Sequence, residues 1–295
     1  TGASVTRLSQ AYVDFHLNFG VLSIGERRLK FERGRFLSDS TYALTPRTFN
    51  QISFHMFDDN LKLFFLTNTT SVMSDNRHYF SKGSYIFAYQ NIVYSPLVFN
   101  FHSYLFEDLN NTYSFNGKLI LSEHYDVEST VAYQTEPSIR TTTFNESSSL
   151  FYDLILTHSK DKQIVKFGTR FFQGGKNGST GFQAPYSSGY SWDGITNTYQ
   201  PNIRSGFTED YRSIFATLSF PRSKSQTITI DGFLFRNNSL SKNLGGEINI
   251  IYKEEVIKDS IFWFYKIGQF ISGSDSSEPS ELKMWLDFLI RLDDS

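Results

Sequence analysis

The side chains in this sequence that could do catalytic or metal chemistry do not form any of the usual constellations. None of the six histidines pairs with another at the spacing that a zinc site uses: His16, His55, His78, His102, His124 and His158. Cysteine is absent, which excludes disulfides, thiolate ligands and a cysteine nucleophile. Serine is abundant, but no Gly-x-Ser-x-Gly motif marks an activated serine. We therefore predict that the protein is not an enzyme and holds no cofactor or metal.

Charged and polar side chains instead recur at every second position of apolar segments. Asp14 and His16 alternate with Val13, Phe15 and Leu17, and the same alternation runs from 282 to 292. Because side chains of a strand point alternately to its two faces, each segment has one apolar face and one polar face. We expect the side chains on such a polar face to be hydrated and to form ion pairs with one another.

The elements that would position these side chains are fifteen predicted strands. They are about ten residues long, which is the length needed to cross a bilayer at a tilt. Their predicted ranges are 8–17, 20–29, 47–58, 61–70, 83–92, 96–106, 112–122, 125–135, 148–158, 163–173, 211–220, 226–236, 245–253, 259–271 and 281–292. Short turns, such as 58–60, alternate with longer loops, such as 174–210, with one short exception at 108–111. This alternation is typical of outer-membrane barrels.

The composition agrees with the prediction of an outer-membrane barrel. Aromatic residues make up 17% of the 295 residues, yet the mean hydropathy is −0.33. No run of about 20 apolar residues predicts a transmembrane helix. A soluble β-sandwich also has alternating strands, but nothing in it requires alternating loop lengths. We predict an all-β, antiparallel transmembrane β-barrel of the bacterial outer membrane, with residues 1–295 as a single barrel domain.

The strand count is odd, whereas bacterial single-chain barrels have even numbers of strands. We therefore predict 16–18 strands in the complete barrel, with the additional strands N-terminal to Thr1. A miscount is the alternative explanation.

Several short motifs resemble the alginate-export family of outer-membrane porins. They include Arg47-Thr48-Phe49-Asn50, Val131-Ala132-Tyr133-Gln134, and Gly206-Phe207 followed by Asp210-Tyr211. Two positions depart from the family pattern, since Glu26 stands where the family has arginine and Asn50 where it has aspartate. The resemblance covers nearly the whole chain. It implies eighteen strands, loops that occlude the barrel, and a role in export across the outer membrane.

If the apolar faces contact lipid, the polar faces line a lumen. The residues predicted to line the pore are Asp14, His16, His55, Lys118, Asp126, Glu128, Asp153, Lys166, Arg170, Arg212, Asp231, Glu247, Lys266, Asp287 and Arg291. The positive and negative charges of these residues nearly cancel, and the net charge of the whole chain is only −2. No excess of positive charge therefore favours nucleic acid as a partner. The predicted function is a channel for a hydrophilic solute, anionic or saccharide. The alternative is a non-conducting barrel with a structural, adhesive or assembly role.

Two loops are candidates for narrowing that lumen. Arg27, Arg35 and Arg47 belong to an arginine-rich loop that we predict to form a constriction; binding of lipopolysaccharide phosphate or plain solvation are the alternatives. The loop from 174 to 210 combines glycines and prolines with Trp192 and Tyr199. Because aromatic area favours packing, we predict that this loop folds against the barrel wall; a loop extending into the medium is the alternative. The expected partners are outer-membrane lipid, lipopolysaccharide and the solute, and the sequence does not define the oligomeric state.

Overall fold

The computed structural model describes residues 10–32, 35–37, 48–70, 77–106, 110–135, 148–175, 181–184, 196, 198–199, 207–237, 240–258 and 260–290. They form one antiparallel sheet of fifteen strands in which each strand pairs with its neighbours in chain order. The strands are β1 (Ala11–Leu17), β2 (Gly20–Arg27), β3 (Phe49–Met56), β4 (Leu61–Thr70), β5 (Arg77–Tyr94), β6 (Leu97–Phe106), β7 (Asn110–Ile120), β8 (Tyr125–Thr135), β9 (Ser148–Lys160), β10 (Gln163–Phe172), β11 (Tyr211–Pro221), β12 (Gln226–Asn237), β13 (Asn243–Ile257), β14 (Ile261–Ser272) and β15 (Glu281–Ile290).

All fifteen predicted strands are confirmed, and the two largest extensions beyond the predicted ranges are in β5 and β13. β5 begins at Arg77 rather than near residue 83, and its pairing with β4 shifts register between Leu66 and Asn68. β13 runs to Ile257 rather than ending near residue 253, and Glu254 in the added part pairs with Gln226. The predicted strand ended where charged residues begin. A strand can continue through charged residues outside the apolar belt, because their side chains are solvated there.

Short and long connections alternate around the sheet. One end of the strands carries short turns, at 18–19, 57–60, 95–96, 121–124, 161–162, 222–225 and 258–260, and the other end carries the remaining, mostly longer connections. In the β9–β10 turn, Asp161 and Lys162 both have positive φ angles, 48° and 67°. Two such residues make the turn whose twist matches that of a hairpin, so this connection needs no further residues.

The two faces of the sheet differ in the way that the alternation predicts. One face, here called the inward face, contacts residues of the β2–β3 and β10–β11 connections, and its side chains include Asp153, Ser213 and Asn249, all 0% exposed. The outward face carries apolar side chains such as Phe167 and Leu286, which are 58% and 52% exposed. A soluble β-sandwich buries its apolar face, whereas this sheet exposes it.

The sheet has two edges, at β1 and β15. Within the described residues no pairing links these two strands. Because the strands alternate in direction, an odd number makes β1 and β15 parallel, so they do not form the antiparallel ladder that closes a barrel. The additional strands remain a prediction. Among the described residues, no helix is long and apolar enough to cross a membrane.

Candidate functional site

The described part of the β2–β3 connection packs on the inward face. Phe31, Phe36 and Leu37 are 5%, 3% and 0% exposed, and the amide of Phe31 donates to the carbonyl of Leu37 over 3.1 Å, which closes the segment into a compact turn. The Phe36 ring lies 5.8 Å from the rings of Tyr104 and Phe151. This apolar contact fixes the segment across strands β6 and β9.

The β10–β11 connection reaches the same place from the opposite side. Phe182 is fully buried, 5.9 Å from Phe36 and 5.5 Å from Phe151 between ring centres. Gln134 of β8 binds the main chain of Gln183 twice, since its amide donates to the carbonyl and its oxygen accepts from the N–H, both over 2.8 Å. The two connections therefore meet inside the sheet.

Tyr199 anchors a second part of the β10–β11 connection. Its hydroxyl donates to the carbonyl of Leu244 over 2.8 Å, and its ring lies 5.2 Å from those of Tyr211 and Phe235. Burial raises the pKa of the Tyr199 phenol above its usual value. Nearby, the amide of Thr196 donates to Glu247 over 3.0 Å, and Lys283 donates to the carbonyl of Thr196 over 2.6 Å. The structure thus places Tyr199 against the wall formed by β11 and β12.

A buried ion-pair cluster joins the β2–β3 connection to the wall. Arg35 Nη2 lies 2.6 Å from Asp153 Oδ2, and Arg35 Nη1 donates to Thr130 Oγ1 over 2.9 Å. The other carboxylate oxygen of Asp153 accepts from the Thr130 amide over 3.0 Å, and Arg170 Nε lies 3.8 Å from Asp153 Oδ2. We call Arg35, Asp153, Arg170 and Thr130 the arginine latch. The sequence placed Arg35 in the loop and Asp153 and Arg170 on the wall, but it did not indicate that they meet.

Sequence reasoning missed a second contact between the same connection and the wall. Glu32, whose φ is 48°, lies 3.1 Å from His102 Nδ1 and accepts hydrogen bonds from the hydroxyls of Tyr104 and Ser114. His102 also contacts Gln90 Nε2 at 2.8 Å. Glu32 is the only acidic residue between 27 and 37. The sequence signal that could have predicted this contact was a single acidic residue, Glu32, within a basic segment.

Most of the other residues predicted to line a pore lie on the inward face. Glu128, Lys166, Asp231 and Glu247 share the alternation of buried neighbours in their strands. His16 lies in β1, whose residues are all exposed, and it shares the face of Asp14, the cross-strand partner of the buried Ser23. Several have close partners there: Asp14 accepts from Ser23 over 2.5 Å, His55 pairs with Asp59 at 2.6 Å, Lys118 with Asp126 at 3.1 Å, and Lys266 with Asp287 at 2.5 Å.

Arg212 is an exception, because it faces outward. It shares the face of Ile214, which is 44% exposed, and donates to the hydroxyl of Tyr152 over 2.8 Å. This corrects the prediction that Arg212 lines the lumen. A charged residue at the end of a strand lies near the polar interface of the membrane, where a charged side chain on the outward face is solvated. The prediction assigned every charged residue to the inward face and did not consider this position.

The remaining predicted residues are near the sheet edge or outside the described part. Arg27 Nη1 lies 3.9 Å from Asp14, and its guanidinium lies 4.5 Å from the ring centre of Tyr12. Arg47, Trp192 and Arg291 lie outside the described residues.

Exposure along the inward face is uneven. Side chains at the level of the latch are buried, with Asp153 at 0% and Arg170 at 8%. Toward the short turns, the side chains of Lys118 and Asp287 are both 40% exposed. The inward face is therefore most buried at the level where the two connections meet, and it is more exposed toward the short-turn end.

Comparison with solved structures identifies this architecture. OpdK of Pseudomonas aeruginosa, solved with vanillate, superposes with a TM-score of 0.69 at 12% identity, over 95% of this chain and 77% of that one. OpdO of the same organism gives 0.69 at 13% identity over 94% and 77%, and a doubly substituted OccD1 (OprD) gives 0.65 at 12% identity over 96% and 78%. This chain has the fold of an outer-membrane porin.

The porin fold is shared without close sequence similarity. No protein-family model and no curated protein matches the chain. The specific resemblance to the alginate-export family is not supported, since the structural neighbours are Occ porins. Its motifs are two to four residues long and lie at strand ends, where similar turn and interface residues recur in unrelated barrels.

Proposed function

We propose that this protein is an outer-membrane channel through which small hydrophilic solutes pass along the inward face. One observation supports this proposal above the others. The apolar side chains lie outside, while the inside carries charges of both signs and is most buried where two connections fold against the wall. A barrel with a fully packed interior would need no half-exposed Lys118 or Asp287 within it. The porin fold of the neighbours, OpdK among them, supports the same location in the membrane.

The structural neighbours suggest which solutes should be tested first. Arg35 and Arg170 are buried and already paired with Asp153, so they do not define the solute. OpdK, however, has been solved with vanillate, an aromatic acid. We therefore infer that small carboxylates are the first class to test, with neutral saccharides as the second.

The direct experiment is a single-channel recording of the refolded full chain in planar bilayers. We expect discrete conductance steps, and we expect added vanillate or benzoate to reduce the current by occupying the lumen. A folded, bilayer-inserted protein without conductance would instead establish the non-conducting barrel with a structural or adhesive role.

Removing part of the β10–β11 connection should widen the channel. We expect deletion of Asn177 to Thr198 to raise the conductance, because this segment includes Phe182 and Thr196, which contact the wall. Tyr199→Ala keeps the chain length and removes the contact with Leu244, so it should give a smaller change in the same direction. Equal conductance of wild type and both variants, with intact folding, would show that this connection does not narrow the pore.

Selectivity between small ions should be weak. Inward charges occur as close pairs of opposite sign, as for Lys118 with Asp126 and Lys266 with Asp287, and a ring of one sign is what sets strong selectivity. Reversal potentials in a potassium chloride gradient measure this. We expect a small anion preference that declines when Arg27 is replaced by glutamine; strong anion selectivity that persists after neutralising Arg27, Arg35 and Arg47 would contradict the assignment.

A further inference from the structure

A histidine is buried between the β2–β3 connection and the wall of the barrel. His102 of β6 is 1% exposed, and its Nδ1 atom lies 3.1 Å from a carboxylate oxygen of Glu32. The Glu32 side chain is itself 6% exposed. Burying a charge is costly unless an opposite charge accompanies it. The charge of this histidine therefore influences how firmly the connection is held.

The hydrogen bonds of the imidazole define its neutral form. Its Nε2 atom lies 2.8 Å from the side-chain nitrogen of Gln90. An amide nitrogen only donates, so Nε2 accepts, and the proton of the neutral ring is on Nδ1. Among the described residues, however, Nδ1 has no aligned hydrogen-bond partner. The neutral ring therefore contributes little to holding Glu32.

Protonation changes this contact in two ways. A second proton on Nε2 gives the ring a full positive charge 3.1 Å from Glu32, and Gln90 can turn its amide group to present the oxygen to that proton. A hydrogen bond with a charged partner is roughly twice as strong as one between neutral groups. Because histidine gains its charge as the pH falls from about 8 to about 5, acid strengthens the contact.

The described surroundings of His102 leave the imidazole as the group that changes charge in this range. Glu32 is the only acid among its described contacts. Tyr104, whose ring stacks on the imidazole at 5.9 Å, keeps its proton below about pH 9. Arg35 of the same connection is paired with Asp153 instead. The remaining described neighbours are uncharged: Phe31 of the connection, Ala88 and Gln90 of β5, and Ser114 of β7.

We propose that His102 and Glu32 form a pH-sensitive contact, here called the histidine latch, that regulates the channel. At low pH the imidazolium and the carboxylate hold the β2–β3 connection against β6. At higher pH the ring is neutral, Glu32 keeps the hydroxyls of Tyr104 and Ser114, and the segment around Glu32 leaves the wall more often. The inference rests on the proposed function, since it concerns regulation of the same channel.

The first test records single channels of the refolded full chain at about pH 5 and about pH 8, the limits of the histidine range. We expect the ratio of closed to open times to fall about tenfold from the lower to the higher pH, as for one charged contact that becomes neutral. His102→Gln and Glu32→Gln should each remove this pH dependence. A response that persists in folded His102→Gln protein would overturn the proposal.

The matched control is His124→Gln. His124 also lies close to a glutamate, Glu123 at 3.2 Å, but this pair is in the β7–β8 turn at the short-turn end of the strands. The variant should therefore keep the full pH response. Loss of the response in His124→Gln, with His102→Gln unchanged, would assign the pH dependence to the turn and refute the histidine latch.

A third variant should move the response instead of removing it. Gln90→Glu places a carboxylate beside Nε2, where it favours the protonated ring. We expect the midpoint of the response to move to higher pH by about one unit, as for a histidine that gains a nearby opposite charge. An unchanged or lower midpoint in folded Gln90→Glu protein would contradict a role for the imidazole charge.

A chemical readout separates the histidine latch from the proposed function. The chain has no cysteine, so Leu29→Cys, at a position of the same connection that is 7% exposed, reports release through its reaction with a maleimide. Its rate is divided by that of Lys30→Cys at the exposed neighbouring position, which corrects for thiol ionisation at each pH. We expect this ratio to rise about tenfold toward the higher pH and to stay constant when His102→Gln is added.

The two readouts fail in different ways. A ratio that rises with pH in a protein that does not conduct would support the histidine latch and refute only the channel. A constant ratio in a conducting protein would refute only the histidine latch.

Discussion

Replacing Asp153 with alanine should destabilise the folded barrel by about 3–5 kcal/mol, the cost of removing one partner from a buried ion pair. Asp153 is fully buried between Arg35 and Arg170, and it also accepts the amide of Thr130. Without the carboxylate, two guanidinium groups remain close together in a buried place. Urea unfolding of the refolded protein in lipid vesicles, followed by tryptophan fluorescence, measures the loss.

The same variant should also conduct more than wild type. Arg35 is the charged contact between the β2–β3 connection and the wall at Asp153, so losing its partner weakens the hold on this connection. The matched control is Asp126→Ala, whose carboxylate is 20% exposed and pairs with the half-exposed Lys118. Exposed pairs contribute about 0–1 kcal/mol, so this control should change stability little. Similar losses for the two variants would show that the arginine latch contributes no more than an ordinary lumen pair.

Placing arginine at Leu286 should cost about 2–4 kcal/mol, as for a cation on the lipid face near the middle of the membrane. Leu286 is 52% exposed on the outward face of β15, between Met284 and Phe288, which are 71% and 57% exposed. Water does not solvate a side chain at this depth of the hydrocarbon. The bilayer must therefore distort around the charge, or the strand must move to bring the charge to water. The measurement is again unfolding in vesicles of defined thickness.

Trp285→Arg is the control within the same strand. Trp285 faces inward opposite Lys266 and next to Asp287, where water and a carboxylate accompany the new charge. The cost should therefore be clearly smaller than at Leu286. A larger loss at Trp285 than at Leu286 would mean that the two faces of β15 have been assigned the wrong way round.

The sheet itself was readable from local sequence. Each strand is specified by side chains two positions apart, and a run such as Val13, Phe15 and Leu17 needs no distant partner to show which face is apolar. The exposure of the apolar face on the outside was also predictable, because strands of this length with alternating turns and loops suit a bilayer. The extension of β5 was not, since the register shift after Leu66 depends on the partner strand.

The arrangement inside the barrel was decided by tertiary structure alone. That Arg35 meets Asp153 and that Glu32 meets His102 depends on the path of a connection across several strands, which no periodic pattern encodes. Arg212 is the predicted lumen residue that the structure places elsewhere. Its charge alone assigned it to the lumen, but it lies at the end of its strand, near the membrane interface, where an outward arginine is tolerated. Local periodicity therefore determined the wall and its two faces. The inward folding of the connections and the arginine latch required the three-dimensional positions of residues far apart in the chain.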